Sequence, residues 1–472
     1  MAETQKLRVL VLGAGPGGYP AAFHAADLGH EVTLVDLDEK PGGVCLHRGC
    51  IPSKALLHVA KLLSEVRDAA EIGLDFGEPR LDLDKLRAWK TSVVGKLTGG
   101  LKVLGGKRNV RFLQGRGRFV DAHHVSVALN AGGEETVEFD HAILATGSVP
   151  IALPKLFPAS PRVMDSTAAL MVEDIPASLL VVGGGYIGLE LGSVYAALGS
   201  RVTVVEATQG LLPGVDRDLV EVLAPRLRER FAEVLLDTKV TGASEVANGI
   251  EVKLAGLDLA EPVRVFDKVL VAVGRRPNAA DLGLEHTRVE VNQQGFIVTD
   301  HQRRTAEPNL WAIGDVAGQP MLAHKATYEA RIAVEALSGE ASAYDPQAIP
   351  AVVFTDPELA WAGLTENEAK AKGIPIKVTR FPWGASGRAT TLGRNDGLTK
   401  LLLDPQTERV LGVAIVGVGA GEMIAEGVLA VELGAVARDV MMSIHAHPTL
   451  SETVMEAAEL LSGHSPHTAP RR

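Results

Sequence analysis

Cysteine is almost absent from this chain: 472 residues hold two, Cys45 and Cys50. So few thiols exclude a disulfide-dense secreted scaffold. Basic residues are not in excess either. Lys and Arg number 47 against 58 Asp and Glu, for a net charge of −11, which gives no electrostatic footprint for a nucleic-acid partner. Long uninterrupted apolar runs are missing as well. The most apolar one, residues 179–199, carries Glu190 and repeated glycines, so it reads as strand, turn and helix rather than a membrane span. The start, MAETQKLRVLVLGAG, passes from a few polar residues directly into a strand with no apolar leader core. A cytoplasmic protein with no membrane partner is the expectation. What is present in quantity is glycine, 50 residues, within a 46% hydrophobic composition that suits an α/β protein of three or four domains.

The two cysteines lie five apart between glycines and an Ile-Pro-Ser-Lys turn, in residues 42–54, GGVCLHRGCIPSK. That placement suggests a redox couple, with a metal site and a structural disulfide as the alternatives. Only His47 lies near enough to join a tetrahedral zinc site, two ligands short of what a metal needs with this pair alone. On an ideal helix the spacing separates the Cα atoms by about 7.5 Å, beyond disulfide reach, so a bridge requires an irregular turn, which Gly49 can supply. A helix N-terminus close by would stabilise the reactive thiolate.

The second pattern is an internal repeat. A strand over 7–12 ends at Gly13-Ala-Gly15-Pro-Gly-Gly18, and the next strand, 31–35, ends at Asp36. A second strand, 179–182, ends at Gly183, Gly185 and Gly188, and the strand 201–205 ends at Glu206, so that all four landmarks recur at an offset of 170 residues. In such a turn the first glycine permits the tight bend, the second lets backbone approach a pyrophosphate, and the third lets helix pack on strand; the terminal carboxylate accepts from a ribose. One copy is weak evidence, whereas two in register point to two dinucleotide-binding halves.

The segment GGVCLHRGCIPSK closely resembles the redox-disulfide segment of the flavin-dependent pyridine nucleotide-disulfide oxidoreductases, and its Ile-Pro-Ser-Lys-Ala-Leu-Leu ending looks most like the dihydrolipoamide dehydrogenase branch. The resemblance implies an α/β fold with two Rossmann-like domains, for FAD and NAD, and a C-terminal α+β dimerisation domain. The implied division is 1–150 for FAD and the redox disulfide, 151–275 for NAD, 276–348 for a central part completing the FAD site, and 349–472 for the interface. FAD contacts are then expected from Gly13, Gly15, Gly18, Asp36, Gly43, Lys54, Gly117, Thr146, Gly147, Asp315 and Ala323. NAD contacts are expected from Gly183, Gly185, Ile187, Gly188, Glu206, Val240 and Gly274. Glu206 favours NAD over NADP, because a carboxylate repels a 2′-phosphate and Ala207-Thr208-Gln209 offers no arginine for one. Lys54 follows Cys50 by one helical turn, and the family pattern pairs it with Glu190 beside the flavin. Tyr186 is a departure from that branch, resembling instead the flavin gate of glutathione reductases.

From residue 349 the pattern shifts to short strands and helices, with a capping box at Thr365 and Glu368 and a hairpin over 398–403 and 409–416. In residues 443–452, SIHAHPTLSE, the resemblance makes His447 the general base and Glu452 the group that orients it, supplied to the partner chain's site in a homodimer. Glu452 has a second reading as a helix cap with Thr449, and His445 with His447 lacks a third ligand for a metal. The tail from Gly463 is expected to be disordered.

The implied activity is oxidation of protein-bound dihydrolipoyl groups by NAD through Cys45, Cys50 and FAD. The chain begins at the flavin strand, so the lipoyl group is expected on another protein, a 2-oxo acid dehydrogenase acyltransferase or a glycine-cleavage carrier. Mercuric and large thioredoxin reductases need a further C-terminal cysteine or selenocysteine pair, which this chain lacks. Another NAD(P)H-dependent disulfide reductase, or a mainly scaffolding subunit, are the competing expectations.

Overall fold

The computed structural model describes residues 6–257, 259–463 and 465–469. Residues 1–5, on which the expectation about a leader partly rests, and 464 and 470–472 of the tail lie outside the described residues.

Strand β1 (Arg8–Leu12) is apolar along nearly its whole length, as a central parallel strand covered on both faces requires. It pairs in parallel with β2 (Glu31–Asp36) on one side and with His141–Leu144 on the other, and helix α1 (Gly18–Asp27) makes the crossover. Strand β3 (Arg111–Phe119) extends the sheet beside β2 and then leaves the parallel layer to pair antiparallel with His124–Leu129. The opposite edge of this seven-stranded sheet is Leu310–Ala312, which the chain supplies only after the second nucleotide half.

The second half is a five-stranded parallel sheet centred on Ser178–Val182, flanked by Arg201–Val205 and Lys268–Val271. A short antiparallel pair, Ser148–Pro150 with Arg275–Pro277, carries the chain between the halves directly after Gly147 and Gly274. From residue 351 a five-stranded antiparallel sheet forms with helices against it. Its hairpin pairs Leu398–Leu403 with Val410–Gly417, and the Thr365 box forms in both directions with Glu368. The α/β architecture with a separate C-terminal α+β unit is therefore the one the motifs implied.

Two packing relationships set up the site. Leu56 and Ala60 share a core with Leu189 and Val194, so the helix after the cysteines packs on the helix Tyr186–Leu198. The C-terminal unit is tied to the second half by Lys400, fully buried, whose ammonium donates to Asp216, Asp218 and Glu366 at 2.7–2.8 Å. Burying an ammonium is tolerable only because carboxylates surround it.

The tail differs from expectation. Ser465 and His467 both reach back to the buried Glu456, the serine at 2.6 Å, so these two residues are held against the last helix. Among the described residues no helix is long and apolar enough to cross a membrane.

Candidate active site

The cysteines sit at a break between two helices. Helix α2 (Gly43–Arg48) ends at Gly49, and α3 (Cys50–Asp68) starts at the very next residue. A Cβ on Gly49 would lie 2.8 Å from the Val44 carbonyl oxygen and 3.2 Å from Cys45 Cα, so only glycine lets the two helices abut this closely. The break replaces the ideal helical spacing that would have kept the thiols apart. The two thiols respond oppositely to each other. Interaction with Cys50, with burial, pushes the Cys45 thiol up. Interaction with Cys45 pulls Cys50 down to about 7, with help from the Lys54 ammonium. Cys50 also occupies the first position of a 19-residue helix, where the dipole favours a thiolate.

Lys54 lies one turn further along α3 and donates to Glu190 Oε2 at 2.8 Å. Glu190 is 3% exposed, so its carboxylate is a buried group and not a surface one. Its carboxylate is fully used: Ser53 Oγ donates to Oε2 at 3.3 Å and the Phe354 N–H to Oε1 at 3.0 Å. The Lys54 ammonium also stands 4.3 Å from the Phe354 ring centroid, a cation–π distance.

Both cysteines, Lys54 and Glu190 line one end of a cleft of about 510 Å³ that runs over the first sheet. Gly13, Gly15, Asp36, Gly43, Gly117, Thr146, Gly147, Asp315 and Ala323 line it too; of the residues assigned to FAD only Gly18 does not. Gly18 serves instead where the third glycine of such a turn should, its Cβ position lying 1.7 Å from the Gly13 carbonyl oxygen. The lining fits a dinucleotide. Gly15 and Gly147 would each project a Cβ into space that no other backbone or side chain crowds, so the glycines keep the cleft floor flat. Asp36, at the end of β2, accepts the Ala14 N–H at 2.5 Å and the Asp38 N–H at 2.8 Å, which fixes its carboxylate at the cleft. Helix Ala323–Leu337 begins at Ala323, one of the expected FAD contacts.

The second half repeats this construction. The Gly13 N–H donates to Val35 O and the Gly183 N–H to Val205 O, both at 2.8 Å. Gly13 and Gly183 have φ of +100° and +109°, and their Cβ positions fall 2.4 and 2.5 Å from the carbonyl oxygens of Ala145 and Ala272. Gly188 packs against Gly183 as Gly18 does against Gly13. Glu206 accepts the Gly184 N–H at 2.7 Å, matching Asp36 with Ala14, and also accepts from the Thr208 N–H and hydroxyl at 2.8 Å. Arg217, the nearby cation, is spent on the carbonyls of Leu211, Leu212 and Val215. Ile187 and Tyr186 reach the first cleft beside Glu190. Gly185 opens the helix Tyr186–Leu198, Gly274 has φ +120° just after the strand Lys268–Val271, and Val240 packs on a core containing Val182 and Val205.

His447 and Glu452 do not line the cleft. They form a pair elsewhere in the chain, with His447 Nδ1 and Glu452 Oε1 2.9 Å apart and the imidazole largely exposed. Glu452 Oε2 accepts the Thr449 N–H at 2.7 Å, but Thr449 Oγ1 donates to the Ala446 carbonyl and the helix starts at Glu452 itself, so only half of the expected capping box forms. Burial works to raise the Glu452 carboxyl, yet the Thr449 N–H and His447 together hold it below the usual range. His445 is bound to Glu426 at 2.8 Å instead of joining His447.

Some cleft residues were missed in the sequence. Ser148 donates to Asp315 and accepts from Arg275 Nε at 2.8 Å, a chain linking the two crossing turns. Arg48 forms a two-pronged pair with Asp38 at 2.8 and 2.9 Å. Phe354, outside the cleft lining but bound to Glu190, had no local signal, whereas Arg275 directly follows Gly274, an expected NAD contact.

Comparison with known proteins agrees with this geometry. Residues 7–330 match the family model described as pyridine nucleotide-disulphide oxidoreductase, and residues 349–458 match its dimerisation domain. The chain is 47% identical over 464 residues to the dihydrolipoyl dehydrogenase of Vibrio parahaemolyticus, covering 98% of this chain and 97% of that protein. It is 44% identical over 454 residues to the dihydrolipoyl dehydrogenase of Geobacillus stearothermophilus, covering 96% of each. Among solved structures, LpdA from Mycobacterium tuberculosis superposes with a TM-score of 0.89 at 27% identity, over 96% of this chain and 99% of that one. The HOCl-induced flavoprotein disulfide reductase RclA of Escherichia coli gives 0.85 at 28%, over 96% of this chain and 100% of that one. The chain therefore belongs to the pyridine nucleotide-disulphide oxidoreductases and, within them, to the dihydrolipoyl dehydrogenase family.

Proposed function

We propose that this protein oxidises dihydrolipoyl groups carried on another protein, using the Cys45–Cys50 couple as the first electron acceptor and NAD as the last. The observation that carries the reading is the placement of both thiols in the cleft, with Cys50 opening helix α3 one turn before Lys54 and its partner Glu190, a setting that favours a thiolate at Cys50 over one at Cys45. In thiol–disulfide exchange the sulfur with the lower pKa is the better leaving group. A substrate thiolate therefore attacks Cys45, the Cys45–Cys50 bond breaks, and Cys50 leaves as a thiolate beside Lys54. The second substrate thiolate then attacks the substrate sulfur of the mixed disulfide and expels Cys45, which takes up a proton. Two substrate thiols become a lipoyl disulfide, and the protein disulfide becomes a dithiol.

His447 is assigned to take the substrate protons, with Glu452 fixing its tautomer through Nδ1. Since His447 lies outside the cleft of its own chain, the base is assigned to a second copy in a homodimer, which the matched dimerisation domain supports. FAD and NAD are the cofactors of this family. Bound FAD supplies the relay that passes the electron pair of the dithiol to NAD. Lys54, held by Glu190, keeps a positive charge where the Cys50 thiolate forms. The lipoyl carrier is assigned to a 2-oxo acid dehydrogenase acyltransferase or a glycine-cleavage protein, and the chemistry to the cytoplasm.

The test is NADH formation by the purified protein given NAD and dihydrolipoamide, with NADP and reduced glutathione as parallel controls. Rapid NADH production with NAD and dihydrolipoamide alone is expected. Turnover only with another thiol or with NADP would reject the substrate or cofactor assignment while leaving the family in place.

A further inference from the structure

A buried ion cluster sits behind the Gly314–Asp315 turn of the cleft and takes no part in the thiol chemistry. Glu329, on the helix Ala323–Leu337, is 0% exposed. Its Oε2 accepts the Gly314 N–H at 2.6 Å, and its Oε1 receives Lys325 Nζ at 3.0 Å and Arg303 Nη1 at 3.2 Å. Lys325, equally buried, donates to the carbonyl oxygens of Gly314 at 3.3 Å and Gly318 at 3.1 Å. Both backbone polar groups of Gly314 thus end on two side chains one turn apart on a single helix. Gly314 needs them: at φ +75°, with its Cβ position 3.1 Å from Ala326 Cβ, it has no side chain of its own to anchor the turn.

Stability alone does not account for such a cluster. A buried ion pair gains little over well-packed apolar residues of similar volume, and replacing one is often neutral or favourable. The distinctive contribution here is directional. The next residue, Asp315, points into the cleft, where Ser148 donates to its carboxylate and Arg275 donates to Ser148. Holding Gly314 from behind fixes the peptide plane from which Asp315 projects.

We propose that Lys325 and Glu329 are positioning residues for cofactor retention: they lock the Gly314 peptide so that Asp315 meets the hydroxyl-bearing chain of FAD. The proposal rests on the reading of this cleft as the FAD site. In sequence the two residues look like an ordinary exposed i, i+4 helix pair, and only the fold shows that both face inward.

The experiment is FAD release from the full-length holoprotein, read as recovery of free flavin fluorescence over a dilution series, beside thermal unfolding followed by circular dichroism. Two variants are compared with the parent: Glu329→Gln, and the double change Lys325→Met with Glu329→Leu, which keeps volume but removes the partner of the Gly314 amide and leaves its carbonyl only the Ala317 N–H. Lys400→Met serves as the control, because that lysine is as buried but lies outside the cleft. Both cluster variants are expected to release FAD at concentrations at least tenfold higher than the parent does, and Lys400→Met to retain FAD like the parent even where its unfolding temperature falls. Retention unchanged in Glu329→Gln, or equal release from Lys400→Met at a matched loss of stability, would overturn the proposal. A parent that binds no FAD at all would overturn the cleft assignment itself, a result distinguishable from either of these.

Discussion

Phe354 and Glu190 are joined by a 3.0 Å hydrogen bond from the Phe354 N–H to Glu190 Oε1, while Lys54 holds the other oxygen at 2.8 Å. The Phe354 ring in turn faces the Lys54 ammonium at 4.3 Å. Helix α3, the first helix of the second half and the start of the C-terminal sheet therefore converge on one buried carboxylate beside the thiols. The reactivity of the cysteines is tied to the packing of all three parts of the chain.

Glu190→Gln tests that convergence. The amide oxygen can still accept the Phe354 N–H, but Lys54 loses its counter-charge. Removing one partner of a buried pair costs about 3–5 kcal/mol. Lys54 keeps 34% of its side chain exposed, so solvent screens part of the loss and about 1–2 kcal/mol is expected. Turnover with dihydrolipoamide and NAD should fall about tenfold or more, each tenfold being roughly 1.4 kcal/mol of barrier. Steady-state kinetics beside a melting curve would check both, and unchanged turnover would remove the pair from the mechanism.

The two thiols should alkylate at different pH. Cys50, pulled down to about 7, is a thiolate above that value and a thiol below it, whereas Cys45 is pushed up and stays protonated across the neutral range. Iodoacetamide applied to the reduced protein should therefore label Cys50 with a rate that climbs through neutral pH, and label Cys45 slowly, as read by peptide mass spectrometry. Lys54→Met should shift the Cys50 profile upward, because the ammonium helps to lower it. Faster labelling of Cys45 would reverse the assignment of attacked and leaving sulfur.

What the sequence disclosed here has a common physical character. Gly13, Gly183 and Gly49 sit where a Cβ would strike backbone within about 3 Å, and such positions leave a mark on composition at fixed spacing. Asp36 and Glu206 close each unit at the end of a strand, so the repeat was legible at an offset of 170 residues, as was the pairing of Lys54 with Cys50 along one helix. The Ser148–Arg275 contact, the Phe354 ring and the Glu329 cluster left no such mark. Each joins residues far apart in the chain, and no local spacing encodes which of many arginines, phenylalanines or glutamates the fold will bring inward. The tail was misjudged for the same reason: its polar composition suggested disorder, but Glu456, buried one turn beyond Glu452, gives Ser465 and His467 a partner.

Nucleotide choice should reside in Glu206. Its carboxylate is fixed by Gly184 and Thr208 at the end of the second strand, and Arg217 is committed to three carbonyls. A 2′-phosphate would meet a buried negative charge there. Glu206→Ala is expected to narrow the NAD over NADP preference by about tenfold or more, measured as the ratio of kcat/KM values, since one such charge contact is worth at least roughly 1.4 kcal/mol. A preference left unchanged would move the specificity determinant elsewhere.

Glu452 has two partners, and one substitution separates their roles. Through Oε2 it accepts the Thr449 N–H and so ties down the turn ahead of the last helix; through Oε1 it meets His447 Nδ1. Glutamine can still accept the Thr449 N–H, so a mere cap would tolerate Glu452→Gln within the ~1 kcal/mol typical of cap changes. Its amide N–H would however donate to His447 Nδ1, placing the ring proton on Nε2 and leaving no lone pair there to take the substrate proton. Turnover should then fall roughly 10²-fold, the lower end of what a positioned base supplies. The pH response has a definite sign. The Thr449 N–H and His447 hold the Glu452 carboxyl below its ordinary value against the effect of burial, so the stabilisation from this group is present above the unfolded carboxyl pKa and lost as pH falls through the folded one. Thermal unfolding as a function of acid pH should therefore show a smaller loss of stability in Glu452→Gln than in the parent. A variant that keeps full turnover while losing only this acid-dependent stability would leave Glu452 as a cap alone.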